Sequence, residues 1–532
     1  MITFFIGILI LVLGYFFYGR FVERVFAPDD REVPAIKNPD GVDRLVLPHW
    51  KNMLIQLLNI AGIGPVIGVI LGIKFGPIVF LALPIGNVLG GALHDYFSGL
   101  ISMRNNGKNV PALAEKFLGN VPSKIVMLFI AIALLFVGAV FTNTPANLLN
   151  IPVVVGDLSS KTFFWAMVGV IFLYFFISTF FPIDKVIGKI YPIFGGMLIF
   201  ASVAIFIALL PKFFLLEEIN LLNMASEFHK HPEGQPIIPM LFVTIACGII
   251  SGFHSTQSPI VARTEKTERT GRQTFYGMMI LEGLVGMIWA AGGMFIYQQN
   301  PALLSGVSGV GVLNELVSTV IPLKFVSWMV IIGVVVLAIT SGDTSLRSLR
   351  LTISELFRFD QSKAKNRLLL TLPIFALCFV LILWSNLNPN GFNILWNYFS
   401  WSNQVMAVCS LCVTTVYLIS KKKNFWIALF PTYFMTFIVL AYILWVSPEN
   451  LKGAPQKVSG DFLCNANRIK SLNGAPRVVG GLFNCAANGL KTLDEAPQNV
   501  GGFDCSYNQI ISLSGAPKSV KGDFNCNNNK LI

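Results

Sequence analysis

Charged side chains are scarce in this chain. Of its 532 residues only 12% are Asp, Glu, Lys or Arg, which is about half the share found in soluble domains. A chain this poor in charge cannot cover a water-exposed surface, so a soluble globular protein is excluded. The formal net charge is +12, but Lys and Arg stand in short connections between apolar runs, which argues against a nucleic-acid partner.

Motifs of common enzyme classes are also missing. The sequence has no HExxH, GxSxG or GxxxxGK[ST] motif and no set of protein-kinase motifs. The glycine-rich stretch "VSGVGVLNE" follows no predicted strand, so it is not interpreted as a nucleotide site. We therefore predict no enzymatic activity, no cofactor and no metal site. The lack of a nucleotide-binding module also argues against an ATP-driven pump.

Long apolar runs are abundant instead. Hydrophobic residues make up 54% of the chain and the mean hydropathy is +0.68. The N-terminal run has neither a basic start nor a cleavage site, so it is interpreted as a membrane helix rather than a signal peptide. Because a bilayer requires about 17–25 apolar residues, we predict an all-α polytopic membrane protein. It has twelve spans, at residues 3–18, 52–73, 77–102, 124–142, 162–181, 191–210, 237–253, 274–297, 324–340, 367–385, 402–419 and 425–446.

Basic residues alternate between the connections. The odd-numbered connections are rich in Lys and Arg, with six in the first connection, whereas the tenth has none. Cytoplasmic loops carry such an excess of Lys and Arg. We therefore predict that the odd connections are cytoplasmic and that both termini lie outside.

Two predicted spans are interrupted by residues that break helices. The second span contains "IAGIGPV", and the seventh is expected to end in the polar stretch "SGFHSTQSP". Close glycine packing is the alternative for the second span. The two spans lie five helices apart, so a second unit of five would be inverted, and paired interruptions in inverted halves indicate a transporter site. The candidates for substrate or ion binding are Gly62, Gly64, Pro65, Ser251, His254, Thr256, Gln257 and Ser258.

Four further candidates are ionisable residues in or near apolar spans. They are His94, Asp95, Glu282 and Asp343. An ionisable side chain inside a membrane is costly and indicates function by default. Placement at the cytoplasmic interface is the alternative for His94, Asp95 and Asp343, a cytoplasmic loop for His254, and a structural hydrogen bond for Glu282. Because imidazole titrates near neutral pH, His94 or His254 could pass protons.

Several stretches carry a resemblance to one family. "GYFFYGRFVERVFAPDDREVPA", "LLNIAGIGPVIG", "GALHDYFSG", "SGFHSTQSP", "ITSGDTSLRSLRL" and "WNYFSWSNQ" occur in this order, and over residues 1–446 the chain resembles the carbon starvation protein (CstA) family of bacterial peptide and pyruvate transporters. That family is similar to the amino acid–polyamine–organocation transporters, so the resemblance implies two inverted repeats of five helices. It also implies a bacterial inner-membrane symporter that scavenges nutrients when carbon is scarce.

The same superfamily implies a place for a coupling cation. A cation commonly sits between its first and eighth core helices, which correspond here to spans 2 and 9. The candidates are Thr340, Ser341, Asp343 and Thr344, because hard cations prefer oxygen ligands. A polar cap at the cytoplasmic end of span 9 is the alternative.

The last part of the chain, residues 449–532, departs from the family. Four repeats begin "LKGAP", "LNGAP", "LDEAP" and "LSGAP", and each carries Phe, then Cys, then Asn three residues later. A period of 20–21 residues resembles a leucine-rich-repeat solenoid. We predict a small β-solenoid-like tail with stacked Cys and Asn residues, whose cysteines are buried thiols rather than disulfides. Family members usually continue with further membrane helices here, so a natural fusion, an assembly artefact and a truncated transporter all remain open.

The leading functional prediction is secondary active transport. It is proton-coupled uptake of peptides or of a small carboxylate such as pyruvate, with sodium as the alternative ion. The second hypothesis is a membrane-anchored binding or sensing protein that uses the repeats. The expected partners are the small-molecule substrate, the coupling ion, the lipid bilayer and an unidentified ligand of the tail.

Overall fold

A computed structural model of the chain describes residues 2–181, 187–220, 222–223, 226–227, 230, 235–300, 309–357, 359–361, 363–388, 391–445, 451 and 454–532. The chain divides into two compact units, Met1–Leu440 and Ala441–Ile532. The first unit is helical and the second contains the strands. The domain boundary predicted after residue 448 falls outside the described residues and stays a prediction.

The helices of the first unit follow the apolar runs closely. They are α1 Ile2–Leu13, α2 Gly19–Phe26, α3 Pro34–Lys37, α4 His49–Ile60, α5 Val69–Gly72, α6 Val79–Gly86, α7 Ala92–Arg104, α8 Val110–Leu118, α9 Asn120–Leu149, α10 Pro152–Val155, α11 Lys161–Phe180, α12 Ile187–Leu209, α13 Ile237–Thr244, α14 Ala246–Ile249, α15 Gly252–Ala262, α16 Met278–Gln299, α17 Gly309–Val320, α18 Lys324–Phe357, α19 Ala364–Leu387, α20 Gly391–Ser420 and α21 Trp426–Trp445.

Nine helical stretches in the described residues are long and apolar enough to cross a membrane. A tenth results if the bent pair His49–Ile60 and Gly64–Phe75 is taken as one span. The predicted spans 77–102 and 237–253 fall on helices divided into shorter pieces, by the π-helical turn Asn87–Gly91 and by the breaks around α14. A multi-span membrane protein is therefore confirmed, and the count of twelve stays a prediction.

The second predicted span is broken where its glycines and proline stand. Helix α4 ends at Ile60, and the chain resumes as a π-helical turn at Gly64–Gly68 with a bend of 55°. The intervening backbone leaves the helical hydrogen-bond pattern, because Pro65 cannot donate an N–H. In a membrane such backbone is tolerated only against protein or a water-filled cavity, and Gly62, Gly64 and Pro65 are indeed buried.

The seventh predicted span differs from the prediction. The polar stretch after Ser251 is not a helix end, because it forms a second helix, α15, that runs from Gly252 to Ala262. The break lies before it, at Ile250 and Ser251, which both have extended backbone angles. His254 is accordingly a helical, buried residue rather than part of a loop.

The second unit is a small parallel β-solenoid. Its strands are β1 Lys457–Val458, β2 Phe462–Leu463, β3 Val478–Asn484, β4 Asn499–Asp504, β5 Ser519–Val520 and β6 Phe524–Asn525, and all their pairings are parallel. The repeated Phe residues stack, with ring centroids 5.6 Å apart for Phe462 and Phe483. The Asn488 amide nitrogen donates to the carbonyls of Cys464 and Cys485 at 2.9 Å.

The four cysteines of the tail are free thiols, as are the other four in the chain. The Asn side chains link each coil to the preceding one, so the predicted Asn ladder is present, and Cys464, Cys485 and Cys505 are buried in the same core as the repeated Phe residues. The likeness to leucine-rich repeats stays a prediction.

Candidate functional site

The two interrupted helices touch each other at their breaks. A Cβ added to Gly64 would overlap the side chain of Cys247 in α14, and one added to Gly68 would lie 2.9 Å from the carbonyl oxygen of Thr244. Glycine at these positions therefore allows the two chains to approach closely. This contact agrees with the prediction that the breaks of spans 2 and 7 are neighbours.

One asparagine fixes the start of α15. The Asn403 Oδ1 atom, from α20, accepts hydrogen bonds from the backbone N–H of Phe253 at 2.7 Å and from Ser251 Oγ at 3.1 Å. Its amide nitrogen donates to Cys247 Sγ at 3.3 Å. Asn403 thus binds both sides of the break and satisfies a free N–H at a helix start. Asn403 is not among the residues predicted from the sequence, although it lies in "WSNQ", a polar stretch in an apolar span.

The polar side chains predicted from "SGFHSTQSP" are all buried in this region. Ser251, His254, Thr256, Gln257 and Ser258 are each at most 3% exposed. Ser258 Oγ donates to the His254 carbonyl at 3.1 Å. Thr256 Oγ1 donates to the Phe253 carbonyl at 2.7 Å. α15 is therefore buried along its whole length, and its polar side chains lie in its first two turns.

Three buried carboxamides near the breaks keep polar atoms without a protein partner. Gln56 and Asn59 lie on the last two turns of α4, and Gln257 lies on α15. Within the described part of the chain, Gln56 Oε1, Gln257 Oε1 and both side-chain polar atoms of Asn59 make no hydrogen bond. A buried amide without a partner is costly, so these groups are suited to a bound molecule or water. Gln56 is placed against the seventh span by its 3.3 Å bond to Ser258 Oγ.

The buried ionisable residues form one chain of contacts. Asp95 Oδ1 lies 3.0 Å from His94 Nδ1, and Asp95 Oδ2 lies 3.1 Å from His254 Nδ1. The other nitrogen of His254 lies 3.8 Å from Glu282 Oε1. All four side chains are at most 1% exposed, so His94 and Asp95 are enclosed by protein, while their depth in the membrane stays a prediction. Neither Glu282 oxygen has a hydrogen-bond partner in the described residues.

The hydroxyls proposed for a cation reach the break of span 2. Thr340 Oγ1 lies 3.2 Å from the Leu58 carbonyl oxygen, and Ser341 Oγ lies 3.2 Å from that of Asn59. Ser341 Oγ donates to the last carbonyls of α4, which the break leaves without helical partners. Thr340 Oγ1 is also within 2.9 Å of the Leu337 carbonyl oxygen of its own helix, so its single proton is shared between Leu337 and Leu58. Thr344 instead bonds back to the Thr340 carbonyl of its own helix, at 3.1 Å.

Asp343 is engaged on another side of α18. Its Oδ2 accepts a hydrogen bond from Ser178 Oγ at 2.7 Å. The Ser178 carbonyl in turn accepts from Arg347 at 2.7 Å. The structure thus links Asp343 to α11, whereas Thr340 and Ser341 contact α4. No group of three or more His, Cys, Asp or Glu residues in the described ranges is arranged to hold a metal ion.

A buried ion pair, absent from the sequence analysis, ties the first connection to α18. Asp43 Oδ1 lies 3.2 Å from Arg347 Nη1, and its Oδ2 lies 3.9 Å from Arg350 Nη2. Burial alone would raise the pKa of the Asp43 carboxyl, but Arg347 and Arg350 outweigh this effect and lower it. Three side-chain nitrogens of Arg350 have no hydrogen-bond partner in the described residues.

Comparison with known proteins decides the family. The family model described as "Carbon starvation protein CstA" matches residues 1–191, 158–300 and 295–441. The chain belongs to the CstA family. The match covers most of the helical unit, which contains both broken helices and the buried ionisable cluster.

Three relatives illustrate the range of the family. An uncharacterized membrane protein of Haemophilus influenzae is 36% identical over 350 residues, which is 58% of this chain and 94% of that protein. The peptide transporter CstA of Bacillus subtilis is 26% identical over 510 residues, covering 78% of this chain and 85% of the relative. The pyruvate/proton symporter BtsT of Escherichia coli is 22% identical over 346 residues, 52% of this chain and 47% of the relative.

Two solved structures share the fold. MhsT in complex with L-phenylalanine aligns with a TM-score of 0.52 at 12% identity, covering 75% of this chain and 99% of that structure. A Na⁺-coupled sialic acid symporter in a substrate-bound, outward-open state aligns with a TM-score of 0.50 at 16% identity, covering 82% and 95%. The helical unit of this CstA-family member therefore has the fold of these transporters.

Proposed function

We propose that this CstA-family chain is a secondary active transporter that takes up peptides, or a small carboxylate such as pyruvate, with protons. Its relatives include proteins named as a peptide transporter and as a pyruvate/proton symporter. The observation that carries the proposal is the contact between two discontinuous helices, with buried polar groups on both. Half-helix ends and open backbone at such a contact are suited to bind substrate and ion.

The proposed substrate site lies beside the two breaks. The carboxamide oxygens of Gln56, Asn59 and Gln257 and the Asn59 amide nitrogen have no hydrogen-bond partner in the described residues. They supply acceptors and a donor, which suits a substrate that carries amide or carboxyl groups. Binding such a substrate would satisfy atoms that otherwise remain buried without partners. Asn59→Leu should therefore weaken uptake by about tenfold, the effect of losing one or two hydrogen bonds.

The proposed proton carriers are the four clustered ionisable residues. His254 stands between Asp95 at 3.1 Å and Glu282 at 3.8 Å. Its ring is within hydrogen-bond distance of Asp95, and a small movement of either side chain would bring Glu282 into the same range. Asp95 also holds His94 at 3.0 Å. Because a charged carboxylate is costly in a membrane, the buried Glu282, which has no hydrogen-bond partner among the described residues, is suited to carry a proton. Protonation in one conformation and release in the other would couple uptake to the proton gradient.

Uptake by the purified full chain in proteoliposomes tests this proposal. Labelled dipeptides and labelled pyruvate are each supplied with and without an inward proton gradient. Accumulation that requires the gradient supports proton coupling, whereas equal uptake without a gradient contradicts it. Glu282→Gln should abolish gradient-driven accumulation but retain exchange of internal for external substrate. The matched control is Glu315→Gln, because Glu315 is exposed on α17.

A sodium ion is the alternative coupling ion. The Leu58 and Asn59 carbonyls and the Thr340 and Ser341 hydroxyls bring four oxygens together at the break of span 2, and oxygen ligands suit hard cations. Sodium-dependent uptake that is lost in Ser341→Ala would favour this alternative. For Asp343, whose carboxylate contacts Ser178, unchanged pH and sodium dependence in Asp343→Asn would favour a role as a helix cap.

The proposed architecture has two inverted repeats of five helices, which begin at spans 2 and 7. The adjacency of the two breaks supports this arrangement. We place the chain in the bacterial inner membrane with both termini outside, because the odd connections hold most of the loop Lys and Arg.

The solenoid tail is proposed to be dispensable for transport. Its Asn and Phe contacts run between successive coils, as in other repeat proteins. Removal of residues 451–532 should leave uptake within about twofold per folded transporter, because no candidate site residue is lost. If uptake collapses while the truncated chain still inserts and folds, the sensing hypothesis gains instead.

A further inference from the structure

A cavity of about 550 Å³ lies outside the proposed transport site. Its walls come from the first connection, from the end of α7 with the loop that follows, and from α8. Its charged lining residues are Arg31, Glu32, Lys37, Arg104, Lys108 and Lys116. Five cations therefore face one carboxylate, and the proposed transport mechanism uses none of them.

The two arginines of this cavity are already neutralised and held in place. Arg31 Nε donates to Asp29 Oδ1 at 2.7 Å, and Arg104 Nη2 pairs with Glu268 Oε2 at 2.8 Å. The Arg104 guanidinium also lies over the Phe26 ring at 3.9 Å. These arginines therefore form a fixed wall and contribute little uncompensated charge.

The three lysines are not neutralised in this way. Lys37, Lys108 and Lys116 are exposed, and none forms an ion pair within the described ranges. Lys116 Nζ donates to Asn105 Oδ1 at 2.6 Å, which turns its ammonium toward the loop after α7. The uncompensated positive charge of the cavity thus comes from these three ammonium groups.

The cavity is built by a specific contact between its walls. Asn38, which follows Lys37, donates from its amide nitrogen to Asn106 Oδ1 at 2.8 Å. Asn106 and Gly107 have positive φ angles of 59° and 72°, so the loop turns tightly before Lys108. Orientation signals need positive charge but not a shared cavity, so this arrangement requires a further explanation.

We propose that this cavity binds a phosphate group through Lys37, Lys108 and Lys116. Ammonium groups are compact charges that commonly bind phosphate. The cavity lies at the end of α7, on connections predicted to be cytoplasmic, where the phosphates of the inner leaflet lie. The phosphate can therefore come from an anionic phospholipid headgroup or from a free phosphate ion. The first connection also carries Asp43, so an occupied cavity would hold this connection against α7 and α8.

Thermal unfolding of the full chain in nanodiscs tests the proposal. One arm compares phosphatidylcholine alone with phosphatidylcholine mixed with phosphatidylglycerol, and native mass spectrometry measures the lipid retained. The other arm adds inorganic phosphate to phosphatidylcholine nanodiscs. The test variant is Lys37→Gln/Lys108→Gln/Lys116→Gln. The matched control removes three exposed lysines elsewhere, in Lys363→Gln/Lys365→Gln/Lys421→Gln.

One of the two probes, phosphatidylglycerol or inorganic phosphate, should stabilise the original chain. The test variant should bind that probe at least about tenfold more weakly, since each lysine near an anionic group contributes appreciably to the binding affinity. The control variant and the Lys→Arg triple variant should bind like the original chain. If the test variant alone loses binding of phosphatidylglycerol, the ligand is a lipid headgroup. If it alone loses binding of inorganic phosphate, the ligand is a free phosphate ion. Equal losses in the test and control variants, or no stabilisation of the original chain by either probe, would overturn the proposal.

Discussion

Gly64→Ala directly tests the contact between the two broken helices. The new methyl group would overlap the Cβ and Sγ atoms of Cys247. Gly64 is buried, and Gly64 and Cys247 each belong to a short helical piece packed against other helices. Overpacking of this kind costs about 1–3 kcal/mol. If that cost falls on only one of two transport conformations, the ratio of their populations shifts by about 5- to 150-fold.

Two measurements follow this change. Thermal unfolding in detergent reports the stability of the chain, and uptake into proteoliposomes reports its activity. Gly169→Ala and Gly196→Ala are matched controls, because a Cβ at either position meets no atom within 4 Å. We expect Gly64→Ala to lower the unfolding temperature and to slow uptake at least about fivefold, while both controls stay near the original chain.

A second substitution identifies the contact itself. Cys247→Gly removes the side chain that the new methyl group would strike, at a cost of about 1 kcal/mol for glycine in a helix. The double variant should therefore be more stable than the sum of the two single effects, by about 1 kcal/mol or more. Additive effects, or a Gly64→Ala variant that behaves like the controls, would refute the close approach of spans 2 and 7.

Three further predictions concern other parts of the chain. Asp43→Asn should destabilise the chain by about 3 kcal/mol because two arginines lose their buried partner. Since the pKa of Asp43 is lowered from 3.8 in the folded chain, the greater stability of the original chain should be lost as the pH falls below 3.8. Burial raises the pKa of Cys464 and of Cys505 to about 12, so both thiols should resist alkylation at pH 8 until the chain is denatured, and rapid labelling in the folded state would contradict their burial. Arg269→Cys should react only with a membrane-permeant thiol reagent, whereas Lys161→Cys should also react with an impermeant one. Labelling of the wild-type chain is subtracted in both cases, and the reverse pattern would overturn the predicted orientation.

Of the two helix breaks at the site, the one that contains glycine and proline could be predicted from the sequence. Gly64 and Pro65 interrupt helical hydrogen bonding by their own chemistry, so the break of span 2 is visible in the sequence. The break of span 7 lies at Ile250 and Ser251. Serine is common at a helix start, but the Gly252 that follows it is as typical of a helix end, so the local sequence does not decide between the two. The break depends on Asn403, which is 150 residues away from Phe253 in the chain. A partner so distant leaves no local signal, so the sequence predicts the end of span 7 at residue 253, after the observed break.

The ionisable cluster shows the same limit. His94, Asp95, His254 and Glu282 are conspicuous one by one, because each interrupts an apolar run. Their pairing depends on how α7, α15 and α16 pack, which hydropathy does not encode. The carboxamides of α4 were overlooked for a related reason, because polar residues near the start of a span resemble an ordinary interfacial segment.

The matching registers of the solenoid have a consequence for how its length can change. Phe462 pairs with Phe483, which pairs with Phe503, so each coil offers the next the same backbone edge and the same ring to stack on. A deletion of 21 residues that removes one whole coil would therefore join two surfaces that already fit. A deletion of half that length would place solvent-facing residues on the Phe and Cys ladders. Viable length variants of this tail should thus differ by whole coils, while partial insertions and deletions are eliminated.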